Sequence, residues 1–418
     1  MLQKYLQKFS KRPKLISSTP NNDTGIIVII PSYNEHNLIN SLQSLKECTM
    51  LNFTVEIILV LNHAINASPE IKRFHELQFE QLKEYKFEFD TDQLILLLIL
   101  IPDMEVKHAG VGLARKIGMD EAVRRFHDIQ KENGILLSFD ADCLCSKNYF
   151  EKVYTYFQQP DSKPAVNIGF KHLTADLGED HKIAILSYEI HLRYYIETQK
   201  YCNYPFAYQA IGSCFAITAK AYTLQGGMNT KQAGEDFYFL HKYSTTNALG
   251  EISDVLVYPS ARISERVPFG TGKAMMDVLS KNKNFKTYSF EGIQVFCKFF
   301  HELDQFYGLG ATEIVSLFQR YPNPFVEYLY QIQFPIIILQ CNENSVTKKS
   351  FLKQIQQRLH PFVLMKWLHF AETRGYSTIT IYEACQKFLE PTTPTNSPSM
   401  DNLEKNLAEF EAMSHLGK

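Results

Sequence analysis

Asp140 and Asp142 close an apolar run, ILLSFDAD, that begins at Ile135. On an extended chain, carboxylates one residue apart share a side while Ala141 turns away, so both can face one divalent cation or one nucleotide diphosphate. The run follows Gly134 and reads as a buried strand. The carboxyl end of such a strand is where open α/β sheets bind ligands. By itself an Asp-x-Asp pair is common, and more often means two solvated turn aspartates than a metal or phosphate site. Its chemistry depends on which other stretches the fold brings to it.

Four stretches carry residues of the right type. PSYNE (31–35) follows an apolar strand, where Tyr33 can stack on a base and Glu35 can accept a hydroxyl; the same residues also suit a plain turn with a helix cap at Asn34. KHAGVGLARKIG (107–118) is glycine-rich and basic and opens a helix, so its amides and Arg115 suit a diphosphate, or Lys and Arg simply face solvent. GED (234–236) sets two carboxylates at a helix N-terminus, where an ionised acid is favoured as a general base, or merely as a helix stabiliser. PSARISERVPFGTGK (259–273) combines Arg262 and Arg266 with two glycines and can fold over phosphates; its GTGK is not a Walker A motif, because Val267 replaces the first glycine and Ala274 the Ser or Thr.

The elements that must position these residues alternate regularly. GIIVIIP (25–31), TVEIILVL (54–61), QLILLLILI (93–101) and ILLSFDAD read as strands, with amphipathic stretches after Asn34, from Pro69 to Lys86 and over 112–130 reading as the helices between them. This pattern predicts a parallel sheet with right-handed crossovers and helices on both faces, a Rossmann-like nucleotide half. Further on, AVNIGF (165–170), GSCFAITAKAYTLQGGM (212–228) and VLVYP (255–259) offer more strands, and a Tyr- and His-rich helix runs from Lys182 to about Lys200. YYIETQKYCNYPFAY (194–208) suits either a sugar-stacking wall or core packing. Beyond Ala274 the pattern is mainly helical with proline breaks, and PTTPTNSPS (391–399) reads as a linker before a charged tail helix. The expected organisation is a basic, polar leader at 1–24, a catalytic domain at 25–274 with halves at 25–142 and 143–274, a helical region at 275–390, and the linker and tail at 391–418.

Composition narrows the partners. With 418 residues, 45% hydrophobic, the chain can bury a sizeable core. A net charge of −2 gives no global reason to expect nucleic acid. The 8 cysteines show no CxxC pairing, so zinc and a disulfide framework are disfavoured and a reducing, cytoplasmic setting is expected. No apolar run approaches the length of a membrane span. Lys8, Lys11, Arg12 and Lys14 suit either a solvated leader or peripheral contact with the inner face of a membrane.

Taken in order, PSYNE, the G-x-G-x-A-R helix start, DAD, the GSCFAITAKAYTLQGGM stretch and GED resemble the glycosyltransferase family 2 pattern on a GT-A fold, from about Ile26 to Thr271. The resemblance implies an α/β fold with a Rossmann-like GT-A sheet and flanking helices, followed by a mainly helical C-terminal region. It implies metal-dependent, inverting transfer of a sugar from a nucleotide-diphosphate donor to a glycan, lipid or small-molecule acceptor hydroxyl. By match to the family motifs, Pro31, Tyr33 and Glu35 would line the nucleoside site and Arg115 would lie near the diphosphate. Asp140 and Asp142 would form the D-x-D, with Asp142 on Mn²⁺ or Mg²⁺, and Asp236, supported by Glu235, would be the base. Two positions depart from the pattern. Asn62 and His63 stand where an Asp pair often holds the base, which leaves a guanosine donor open beside uridine. The later metal ligand is not a His, leaving Ser260, Ser264, Glu265 or water.

Three rival readings fit the residues less well. A haloacid-dehalogenase-type phosphatase places its Asp-x-Asp early and follows it with Thr or Val, whereas here Cys143 and Leu144 follow. A nucleotidyltransferase would need a glycine-rich basic loop in place of PSYNE. A non-catalytic carbohydrate-binding or scaffold protein would have no use for intact DAD and GED carboxylates.

Overall fold

A computed structural model describes residues 1–10, 12–232, 234–264, 270–281, 285–389 and 400–416. The chain divides into two compact units, Met1–Asp176 with Ala210–Lys273, and Leu177–Gln209 with Ala274–Lys418. The 391–399 linker lies outside the described residues.

The first unit carries an eight-stranded sheet built from β1 (Ile26–Ser32), β2 (Val55–Ala64), β3 (Leu94–Met104), β4 (Ile135–Ser138), β5 (Leu144–Cys145), β6 (Ala165–Phe170), β7 (Phe215–Thr218) and β8 (Leu249–Tyr258), in the order β3-β2-β1-β4-β7-β6-β8-β5. Its helices are α1 (Leu2–Phe9), α2 (Leu38–Lys46), α3 (Pro69–Phe89), α4 (Val111–Asp128) and α5 (Tyr149–Gln158), with α7 (Ala219–Leu224) and α8 (Glu235–Ser244) later in the chain. All seven residues of β1 are buried, as a strand covered on both faces requires. The result is the expected α/β, GT-A-like architecture.

The strands β3, β2, β1 and β4 are parallel. That is the parallel arrangement expected of the nucleotide half; the rest of the sheet is mixed, for β7 runs antiparallel to both β4 and β6, and β5 antiparallel to β8. Strand direction is dictated only where one βα unit leads directly to the next strand. Between β4 and β7 the chain makes β5, α5, β6 and a long helix, so that constraint lapses. β1 lies between β2 and β4, and the chain leaves it toward opposite sides of the sheet there, which brings the ends of β1 and β4 side by side.

The N-terminal stretch is more than a polar leader. Leu2 and Tyr5 are buried, and Tyr5 Oη donates to Asp120 Oδ1 at 2.7 Å. Tyr222 Oη reaches the same carboxylate oxygen at 2.9 Å, and Lys116 Nζ lies 2.9 Å from Tyr5 Oη. Further along, Arg12 pairs with Asp103 and Lys14 with Asp128.

The second unit contains α6 (Glu179–Tyr201), the helix Phe290–His301 and further helices through Pro361–Ala371 to Met400–Leu416. Among its described residues the only strands are the two-residue pair Lys286–Thr287 and Ile379–Thr380. Tyr204, Phe206 and Tyr194, from the aromatic stretch at 194–208, are buried in its two apolar clusters, and Tyr204 Oη donates to the Leu359 carbonyl at 2.6 Å. For those three rings core packing is therefore the outcome. Trp367 is fully buried and its Nε1 donates to the Gly292 carbonyl at 2.8 Å. No described helix is long and apolar enough to cross a membrane.

Candidate active site

Two arginines join the motif stretches of the first unit. Arg115 is 1% exposed; its Nη2 lies 2.5 Å from Asp140 Oδ1 and its Nη1 donates to Glu235 Oε1. Arg262 donates through Nη1 to Glu35 Oε1 at 2.8 Å and pairs through Nη2 with Glu35 Oε2, while the same Nη2 lies 2.8 Å from Asp142 Oδ2. PSYNE, the α4 start, DAD, GED and Arg262 thus meet in one charged cluster.

Local sequence explains how each side chain arrives. β4 ends at Ser138, whose Oγ donates to the Gly212 carbonyl at 2.6 Å and ties the DAD turn to the stretch before β7. Cys143 N–H closes the turn on the Asp140 carbonyl at 3.1 Å. Gly234 adopts φ +68, left-handed backbone that suits glycine, and α8 begins at the next residue with both acids in its first turn. Gly112 is needed for contact: a Cβ there would come within 2.1 Å of the Lys231 carbonyl oxygen and 3.0 Å of Glu235 Cβ. The glycines at the start of α4 therefore allow Lys231, Gln232 and Glu235 to lie directly on that helix end.

The electrostatics follow from burial. For Arg115, desolvation works against the charge but Asp140, Glu235 and Asp236 outweigh it, and the guanidinium pKa rises. Glu235 is 3% exposed, and burial pushes its carboxyl up to about 7 against the pull of Arg115. Asp236 is half-buried, its Oδ1 accepts from the Phe237 N–H at 2.7 Å, and burial raises its pKa as well. Arg262 is held charged by Glu35 and Asp142 despite partial desolvation.

The remaining expected residues fall as follows. Pro31 is buried at the end of β1, beside Val60 of β2. Tyr33 is 39% exposed, with its ring edge-on to His75 at 5.8 Å between centroids. Glu35 is 1% exposed; beyond Arg262 it accepts from the Asn37 N–H at 3.1 Å. Asn62 is buried and its Nδ2 faces Met104 Sδ at 3.7 Å. Asn34 does not cap α2: that helix starts after Asn37, and Asn34 turns the chain at φ +48. Among candidates for a later metal ligand, Ser260 Oγ accepts from the Arg262 N–H at 3.3 Å, Ser264 is described, and Glu265 lies outside the described residues with Arg266.

Sequence reasoning missed His75 and Gln78 on α3. Asn34 N–H donates to His75 Nε2 at 2.9 Å, so that nitrogen is unprotonated, and His75 Nδ1 therefore carries the proton facing His63 Nδ1 at 3.1 Å. Gln78 Nε2 donates to the Glu35 carbonyl at 2.7 Å. A histidine and a glutamine three residues apart on one helix face were the available signal.

No group of three or more His, Cys, Asp or Glu among the described residues has the geometry to hold a metal ion. Asp140 and Asp142 still fit a hard divalent ion of the kind that takes one or two carboxylates and leaves its other positions to phosphate oxygens and water, since their side chains are 34% and 26% exposed. All eight cysteines are free thiols.

No family model matches the chain, and no curated protein does. Among solved structures, the chain is similar to Staphylococcus aureus TarS 1–349 in complex with UDP-GlcNAc, at 13% identity over 80% of this chain and 90% of that one, with a TM-score of 0.40. It is also similar to the mannosyltransferase PcManGT from Pyrobaculum calidifontis in complex with GDP-Man and Mn²⁺, at 15% identity over 99% of this chain and 93% of that one, with a TM-score of 0.34.

Proposed function

We propose that the chain is an inverting glycosyltransferase of the family 2 type, which moves a sugar from a nucleotide-diphosphate donor to an acceptor hydroxyl. The observation that carries the reading is the linkage of DAD to GED through Arg115 and of PSYNE to DAD through Arg262. Motifs that each have a bland explanation alone become one polar site at the end of β1 and β4.

In this reading Tyr33, the one exposed aromatic of PSYNE, stacks on the base, and Pro31, Glu35 and Asn62 shape the wall behind it. Asp142 and Asp140 would hold Mn²⁺ or Mg²⁺, which when bound neutralises charge gathering on the diphosphate. Glu235 is committed to Arg115, so its role is to fix the guanidinium beside Asp140. Asp236 is left to act as the base. It takes the proton of the acceptor hydroxyl as that oxygen bonds to the anomeric carbon from the face opposite the diphosphate. The carbon–oxygen bond to the diphosphate breaks, and the leaving group keeps the electron pair.

One observation favours a second reading, donor binding without a divalent ion: Arg262 already places a cation on Asp142. Thermal stabilisation by UDP, GDP, dTDP and ADP and their sugars, each with Mn²⁺, Mg²⁺ or EDTA, separates the two, because a ligand that binds the native state raises the melting point by mass action. A metal-dependent shift supports the first reading, and a shift that survives EDTA supports the second. No shift with any nucleotide refutes both.

A further inference from the structure

The loop that carries Tyr33 and Glu35 makes a tight turn. Asn34 sits at φ +48, a left-handed conformation that asparagine adopts more readily than other non-glycine residues. Glu35 follows as a buried carboxylate facing Arg262. The backbone of this turn offers an N–H at Asn34 and a carbonyl at Glu35, and both are taken up by side chains from a neighbouring helix.

α3 supplies the grip. Its start is set by Ser68, whose Oγ accepts from the Ile71 N–H at 3.4 Å, and by Pro69 in the first turn. One turn further, His75 and Gln78 both face the loop. His75 Nε2 accepts the Asn34 N–H and Gln78 Nε2 donates to the Glu35 carbonyl, so one helix face binds a donor and an acceptor on consecutive residues of the turn. His75 is itself fixed from behind: it is fully buried, and its Nδ1 faces His63 Nδ1 on β2 at 3.1 Å. The same imidazole meets the Tyr33 ring edge-on at 5.8 Å. His63 on β2, His75 and Gln78 on α3 and the loop after β1 therefore form one connected set.

We infer that His75 and Gln78 are positioning residues of the donor site: they hold the Asn34 turn, and through it present Tyr33 to the base and Glu35 to Arg262. The inference rests on the donor-site proposal. In that frame His63, which stands where an Asp pair often holds the base, is turned away from direct base recognition and backs His75 instead. Affinity for the nucleoside would depend on loop order rather than on a carboxylate at the end of β2.

The test uses the full chain and four variants, His75→Ala, His75→Phe, His75→Gln and Gln78→Ala. Hydrogen exchange is followed in peptides covering residues 32–37, and UDP and GDP affinities are measured by calorimetry. Gln78→Ala removes a half-buried side-chain amide and leaves the His63–His75 pair in place, so it remains informative if the His75 variants fold poorly. His75→Phe and Gln78→Ala are expected to speed exchange at 32–37 at least several-fold while leaving β4 unchanged. The same variants should weaken the nucleotide that binds wild type by about tenfold, the worth of one lost hydrogen bond. His75→Gln, whose amide oxygen can accept the Asn34 N–H, should recover most of both effects, and His75→Ala should not. Unchanged exchange at 32–37 overturns the inference, as does faster exchange with unchanged nucleotide affinity. If wild type binds neither nucleotide, the donor-site reading fails, and with it the positioning role, even where exchange shows that the grip on the loop exists.

Discussion

Arg262 Nη2 lies 2.8 Å from Asp142 Oδ2, so a guanidinium from the segment after β8 sits on the carboxylate that the D-x-D pattern assigns to a metal. The same guanidinium holds the buried Glu35. The two contacts make Arg262 a competitor of any cation that binds Asp142, and they have opposite consequences for stability and for metal affinity.

Replacing Arg262 by Gln is expected to lower the Mn²⁺ concentration that half-saturates the site, read by titration of thermal stabilisation in the presence of the nucleotide that binds. It should also cost about 1–3 kcal/mol of stability, because Glu35 loses the partner of a buried carboxylate. An unchanged or higher metal requirement would show that Arg262 and the ion do not compete.

Arg115 is a fully buried charge of the cluster and serves Asp140 and Glu235 together. Arg115→Met leaves Glu235 as an uncompensated buried acid and is expected to cost roughly 3–5 kcal/mol in urea denaturation. Arg115→Met combined with Glu235→Gln should recover part of that loss. A loss below about 1 kcal/mol for the single variant would mean that the pair is not the anchor of the GED segment.

Asp236→Asn is expected to lower transfer by about 10²–10⁴-fold while donor affinity stays within a few fold. Burial raises the Asp236 pKa, so in wild type the acid limb of kcat/KM should lie above the ordinary carboxylate range, with activity rising as pH increases through it. A limb at an ordinary carboxylate pKa, or full activity in the variant, removes Asp236 from the role of base.

His75 is held neutral: burial lowers its pKa to about 4, and burial also lowers that of His63. A base whose folded pKa lies below its unfolded one takes up its proton only on unfolding. Stability from the pair should therefore be full above about pH 6.5 and fall as pH drops toward 4, by at most about 1.4 kcal/mol per pH unit for each group. Urea midpoints at pH 7.5, 6 and 5 read the slope, and His75→Gln should flatten it. An unflattened slope would assign the acid sensitivity to other groups.

Tyr5 and Tyr222 share Asp120 Oδ1. Tyr5→Phe keeps the ring but removes a donor to a buried carboxylate, with an expected loss of about 1–3 kcal/mol. Deletion of residues 1–9 should cost more, since Leu2 is buried as well. A deletion that leaves the melting point unchanged would return α1 to the role of a dispensable leader.

The sequence by itself determined where strands and helices alternate, because a buried strand needs a continuous apolar run and a surface helix an apolar stripe. It also placed Asp140 and Asp142 beyond the carboxyl end of β4, where the apolar run stops, but not their direction: the strand ends at Ser138 and both lie in the turn after it, where strand alternation no longer applies. It did not determine which charges meet. Arg115 and Glu235 are 120 residues apart, and Arg262 and Glu35 are 227 apart. No local propensity encodes such pairings; they exist because the strand order sets the end of β1 beside that of β4 and the Gly112 contact seats the GED segment on α4. The direction of β7 and the link from His63 through His75 to the Asn34 turn were likewise decided only in the tertiary structure. Burial there lowers the pKa of both histidines, and one of them accepts the Asn34 N–H.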